Sequence, residues 1–158
     1  MSMHYEFEHD AQSVFNLLTD PEFLVDRCLD MGELEASCEV EEQEGATVIS
    51  LTRRLKRDLP RVFAKMLDPE QTMQMTEKWQ PDGEGGWNGD YTFEMVGQPV
   101  CIRAEFELYP TDTGCCYIIE HKVKAKIPLI GGKIEKYIGG QAEDGCTGEL
   151  NYAQEKLG

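Results

Sequence analysis

The sequence predicts an α+β fold, with about seven antiparallel strands in one curved sheet wrapped around a long C-terminal helix, in the order β-α-α-β(×6)-α. Three observations predict it. Apolar and polar residues alternate with a period of two in successive runs from Leu34 to about Lys126, with turn residues between the runs. One more alternating run and two short helical stripes come before them, and a single stripe at spacings of three and four extends from Ile130 to Leu157. One helix cannot close tightly on a curved sheet along its whole length, so a cavity between the two is expected.

Taken in order, Met3, Tyr5 and Phe7 alternate with His4, Glu6 and Glu8 and form a first strand over 3–8. Asp10 is placed to cap a helix over 11–18, where Val14, Phe15, Leu17 and Leu18 make the apolar stripe. Thr19-Asp20-Pro21 breaks that helix, and Pro21 restarts a second one carrying Phe23, Leu24, Arg27 and Cys28. Leu34, Ala36, Cys38 and Val40 then alternate with glutamates and Ser37, a strand with one wet face. Glu44-Gly45 is a hairpin turn into the strand 46–56.

Asp58-Leu59-Pro60 opens a short amphipathic segment with Val62, Phe63, Met66 and Leu67, which Asp68-Pro69 ends because the residue before proline is pushed out of helix. Four alternating runs follow. The first holds Met73, Met75, Glu77 and Trp79; beyond a glycine-rich turn, the second holds Trp87, Gly89, Tyr91, Phe93 and Met95. The third holds Val100, Ile102, Ala104, Phe106 and Leu108, and the last spans Cys115 to about Lys126. The terminal stripe is interrupted by glycines at 131, 132, 139, 140, 145 and 148, each costing a helix interior about 1 kcal/mol relative to alanine. A start later than Pro128, a close pass over the sheet, or room for a ligand would each account for some of them.

The 158 residues suffice for one domain over 1–158 with a real core. A formal net charge of −15 excludes sequence-independent nucleic-acid binding, because phosphates are repelled. No apolar run approaches the ~18 residues of a membrane-spanning helix. The stretch Met1 to Glu8 lacks the basic-then-apolar layout of a signal peptide, so a cytoplasmic protein is expected. Six cysteines, at 28, 38, 101, 115, 116 and 146, form no C-x-x-C pair and no zinc-like spacing with the histidines, and reduced thiols are expected. Neither a metal nor a cofactor is implied. The nucleophile-elbow, zincin, P-loop and dinucleotide-binding patterns are absent.

If the alternation holds, Met73, Met75, Trp79, Trp87, Tyr91, Phe93, Ile102 and Phe106 face the cavity from the strands. Ile134, Tyr137, Ile138 and Gln141 face it from the terminal helix, and Phe63 and Met66 from the 58–67 segment. Methionine and aromatic walls adapt to varied apolar shapes. Glu77 and His121 interrupt otherwise apolar faces and are the candidate acid/base or ligand-orienting pair. Arg53, Arg54, Lys56, Arg57, Arg61 and Lys65 cluster around the 58–67 segment, the layout of a lid with a basic rim. Such a rim would meet an anionic headgroup, a membrane surface in transient contact, or a carboxylate or phosphate on the ligand.

This element order, with an acidic-outside first long strand and a terminal helix following Pro128, Gly131 and Gly132, resembles the helix-grip superfamily. That superfamily (SRPBCC) holds the START lipid-transfer domains, the birch-pollen-allergen-like plant proteins and the bacterial polyketide cyclases. The resemblance covers nearly the whole chain, and the chain looks most like an uncharacterised bacterial branch. It implies a helix-grip fold and a hydrophobic ligand between sheet and terminal helix. A few members are enzymes and some activate a chaperone's ATPase; the plant allergens' glycine-rich, phosphate-loop-like turn is not recognisable here.

The first reading is therefore a non-enzymatic binder or carrier of a hydrophobic small molecule or lipid. The second is an enzyme of the cyclase or aromatase kind acting on a polyketide-like substrate in the same cavity. The third is a protein-interaction module, such as a chaperone-ATPase activator.

Overall fold

The computed structural model describes residues 2–158; Met1, where the N-terminal stretch begins, lies outside them. The elements are β1 (Ser2–Phe7), α1 (Ala11–Leu18), α2 (Pro21–Asp30), β2 (Glu35–Gln43), β3 (Ala46–Lys56), β4 (Glu70–Pro81), β5 (Trp87–Met95), β6 (Val100–Thr111), β7 (Gly114–Ala125) and α3 (Gly131–Leu157). The strands form one seven-stranded antiparallel sheet in the order β1-β7-β6-β5-β4-β3-β2. Six strands follow one another as a meander, and β1 closes the far edge by pairing with β7.

Local chemistry fixes the ends. The Asp10 side chain accepts from the Ser13 N–H at 3.2 Å and caps α1; Asp20 accepts from the Glu22 N–H at 3.0 Å and caps α2, with Pro21 in its first turn. The β2–β3 hairpin turns on Glu44 (φ 52°) and Gly45 (φ 83°), two consecutive left-handed residues whose twist suits a two-residue hairpin.

Helix α3 starts at Gly131, later than Pro128, after Leu129 takes a left-handed φ of 70°. A Cβ at Gly131 would fall 2.8 Å from the Ala125 carbonyl oxygen, so glycine is what lets the helix leave β7 so closely. The helix then runs against β7 and β1 and buries Ile134, Ile138, Leu150 and Ala153. The 58–67 segment is a string of turns and not a helix. Phe63 and Leu67 are buried, whereas Val62 (54% exposed) and Met66 (53%) point outward.

One end of the concave face is filled by rings. Phe15 of α1 stacks on Trp87 (centroids 4.2 Å apart, planes within 5°) and meets Trp79 edge-on at 5.5 Å. Phe106 lies 4.6 Å from Trp79 and 5.5 Å from Tyr117. Gly89, directly opposite Phe106 in the register, makes room for that ring: a Cβ there would sit 2.1 Å from it. Such aromatic contacts add about 0.5–1.5 kcal/mol each beyond the area they bury.

Candidate ligand cavity

Three rows of inward side chains cross β3, β4 and β5. Thr47, Trp79 and Gly89 form the row nearest the aromatic end, Ile49, Glu77 and Tyr91 the next, and Leu51, Met75 and Phe93 the third. Over these rows and on toward Met73 and Arg53, between the sheet and α3, lies a cavity of about 250 Å³. Its sheet wall includes Met73, Met75, Trp79, Tyr91, Phe93 and Ile102, with Glu77 among them. Its helix wall includes Ile138, Gln141, Ala142, Gly145, Cys146 and Leu150. Leu18 and Leu24 close it from α1 and α2, and Met31 and Leu55 stand beside them.

Of the residues expected on this wall, Trp87, Phe106 and Ile134 are packed into the core outside the cavity, the first two in the aromatic cluster. Phe63 is wedged against Tyr137 (centroids 5.4 Å apart), so these two rings pin the 58–67 segment to α3 and do not line the cavity. Met66 points into solvent because a string of turns gives the segment no continuous inner face. The basic cluster also divides. Alternation along β3 and just past it turns Arg53 and Arg57 into the cavity, while Arg54 pairs outside with Glu35 and Glu70. Lys56, Arg61 and Lys65 are exposed, so only part of the cluster forms a basic rim.

Glu77 and His121 are both buried, but they are not partners. Glu77 pairs in register with Tyr91, Tyr91 with Ala104, and Ala104 with His121. Three strand spacings, about 14 Å along the sheet, separate their backbones, and the Tyr91 ring, 5.8 Å from that of His121, stands between. His121 lies outside the cavity wall with neither ring nitrogen hydrogen-bonded among the described residues, and burial lowers its pKa. Glu77 accepts a hydrogen bond from the Trp79 indole N–H at 3.0 Å. Burial pushes its carboxyl up to about 7 despite that bond and the nearby Arg27.

Three charged residues of the wall, Arg27, Glu33 and Glu149, were not among those expected there. Arg53 of β3 grips Glu33 with two guanidinium nitrogens, Nε to Oε1 at 2.7 Å and Nη2 to Oε2, and reaches Glu149 of α3 at 3.2 Å. Glu149 also takes Arg27 of α2 at 3.1 Å. Two cations and two anions alternate, tying α2, the segment before β2, β3 and α3 together. Burial alone would raise the Glu149 carboxyl, but Arg27 and Arg53 outweigh it and hold it below the usual carboxylate range. Burial would likewise lower Arg53, yet Glu149 and Glu33 raise it above its ordinary value. A signal for both arginines is in the sequence: Arg27 sits on the apolar stripe of α2, and Arg53 occupies an inward position of β3.

Arg57 is different. Its Nε donates to the Gln71 side-chain oxygen at 2.9 Å, one Nη to the Gln141 side-chain oxygen, and the other to the Met73 sulfur at 3.7 Å. Burial lowers its pKa.

The family model described as "Protein of unknown function (DUF2505)" matches residues 2–157. The chain belongs to this family. No curated protein matches it. Among solved structures, Ara h 8.0201 is 14% identical with a TM-score of 0.59, over 99% of this chain and 95% of that one. A protein of unknown function, SA2116, from Staphylococcus aureus is 11% identical with a TM-score of 0.58, over 99% and 93%. A conserved protein from Geobacillus kaustophilus is 16% identical with a TM-score of 0.55, over 99% and 91%. At these identities the likeness is one of fold. This DUF2505 chain has the helix-grip fold of the birch-pollen-allergen-like proteins. No helix among its described residues is long and apolar enough to cross a membrane.

Proposed function

We propose that this protein binds a small hydrophobic molecule between β3, β4 and β5 and helix α3. The observation that carries this reading is the cavity of about 250 Å³, walled by Met73, Met75, Phe93, Ile102 and Ile138. Buried apolar area supplies the affinity at about 25 cal/mol per Å² before the costs of association. A cavity of about 150 Å³ accepts benzene, so this one suits one or two rings or a medium-length chain and is too small for a two-chain lipid. Gly145 supports the same reading: it lines the cavity, and a Cβ there would meet nothing within 4 Å. Helix stability was given up where the cavity gains space. The separation of Glu77 from His121 favours binding over acid/base turnover by that pair.

Native mass spectrometry of the protein, purified gently from its own host without detergent, tests the proposal. The expected spectrum shows a discrete adduct that extracts into organic solvent and is lost in Met75→Trp, where an indole fills the cavity. An adduct of equal abundance in Met75→Trp would overturn it, as would a stoichiometric protein partner with no small molecule.

A further inference from the structure

We propose that the ligand is an organic acid whose carboxylate is received by Arg57. This deepens the binding proposal above and rests on it. Three arginines face the cavity, and their charges are balanced differently. Arg27 and Arg53 share two carboxylates, Glu33 and Glu149, and that group of four is neutral. Arg57 has no carboxylate within ion-pair distance among the described residues; its partners are two amide oxygens and a thioether sulfur.

Those amide oxygens are held toward Arg57. Gln71 is buried and donates its amide N–H to the Asp68 carbonyl at 3.0 Å, which leaves its oxygen for Arg57. Gln141 donates to the Tyr137 hydroxyl at 2.9 Å, and that hydroxyl donates to the Asp58 carbonyl at 2.7 Å. The guanidinium is thereby fixed against the cavity by neutral dipoles. A guanidinium has five N–H donors, and three are used, so two remain. A desolvated cation with neutral partners gains most from an anion that arrives desolvated with it, and a carboxylate matches the flat guanidinium fork. The rest of the cavity permits this. Its apolar wall takes the body of the acid, and the Glu77 carboxyl, held mainly by burial at about 7, adds little opposing charge below that pH. In a chain of net charge −15, an uncompensated cation in a cavity distinguishes acids by position, not by overall attraction.

The test is calorimetric titration with two probes of nearly equal size, 2-naphthylacetate and the neutral 2-(2-naphthyl)ethanol. The wild-type protein is expected to bind the acid at least about tenfold more tightly, the range of a charge-assisted hydrogen bond. Arg57→Met should abolish that preference, with the loss falling mainly on the acid; Arg57→Lys, which keeps the charge but loses the fork, should keep part of it. Equal binding of both probes by the wild type overturns the inference and leaves the cavity proposal standing, and this comparison needs no variant. A preference that survives in folded Arg57→Met also overturns it. Failure of both probes to bind the wild type overturns the cavity proposal and this inference together.

Discussion

The two ends of the concave face solve the same problem in opposite ways. At one end Phe15, Trp87 and Phe106 fill the space with rings, packed on Trp79 and Tyr117 at the border of the cavity, and α3 lies close on β7 and β1. At the other, β3, β4 and β5 face the helix across a cavity, and the structure is spanned by Arg27, Glu149, Arg53 and Glu33 in place of packed apolar groups. A ring cluster leaves no room for a ligand. An ion-pair bridge holds helix and sheet together while leaving space beside it. The division teaches that stability and binding are assigned to different ends of one helix–sheet interface.

The largest expected effects come from breaking each end in its own way. Phe106→Ala should cost about 3–5 kcal/mol in urea unfolding through the cavity it opens, with probe affinity unchanged. Glu149→Gln should cost a similar 3–5 kcal/mol, because it leaves Arg27 without its anion and Arg53 with Glu33 alone. The two losses should differ in how they are rescued. Replacing Arg27 and Arg53 with Met and Glu33 and Glu149 with Leu together should restore most of the stability, since well-packed apolar groups replace buried ion pairs at little cost. No single apolar swap should rescue Phe106→Ala.

Glu77 sharpens the contrast through pH. Its folded pKa, about 7, lies above the ordinary 4.5, so the folded state holds this proton more tightly than the unfolded chain does. Its stabilising effect is complete below pH 4.5, declines as pH rises to about 7, and is gone above that. The full difference is about 3 kcal/mol. Glu77→Gln should therefore match the wild type at pH 4.5 and exceed it by up to about 3 kcal/mol at pH 8 in urea melts, with Arg27, Glu149 and Asp90 the charges around it.

The smallest effect is Gly145→Ala. The added methyl meets nothing within 4 Å, so helix propensity should stabilise the fold by about 1 kcal/mol. Because Gly145 lines the cavity, affinity for an apolar probe should fall as the melting temperature rises.

The order of elements was legible because period-two alternation and a long helical stripe are strong signals, and the limits of α1, β3 and β5 follow directly from capping and turn residues. The start of α3 was not legible, since it depends on Leu129 in the left-handed region and on how closely Gly131 passes Ala125. The inward rows were readable too: Met73, Met75, Trp79, Tyr91, Phe93 and Ile102 all reach the cavity. Which part of each row is covered was not, because Phe106 and Trp87 alternate just as Phe93 does and only the arrival of Phe15 from α1 separates them. The pairing of Arg27 and Arg53 was hidden for another reason. A charged residue at an inward position reads as solvated until its anion is known, and Glu149 lies 96 residues beyond Arg53.

The central claim, that a ligand enters one end of this interface and not the other, is tested most directly by NMR of methionine methyl groups during titration with 2-(2-naphthyl)ethanol. Met31, Met73 and Met75 line the cavity, whereas Met3, Met66 and Met95 do not. The account predicts saturable shifts at the first three and none at the others. Shifts confined to Met66 or Met95, or spread equally over all six, would contradict it.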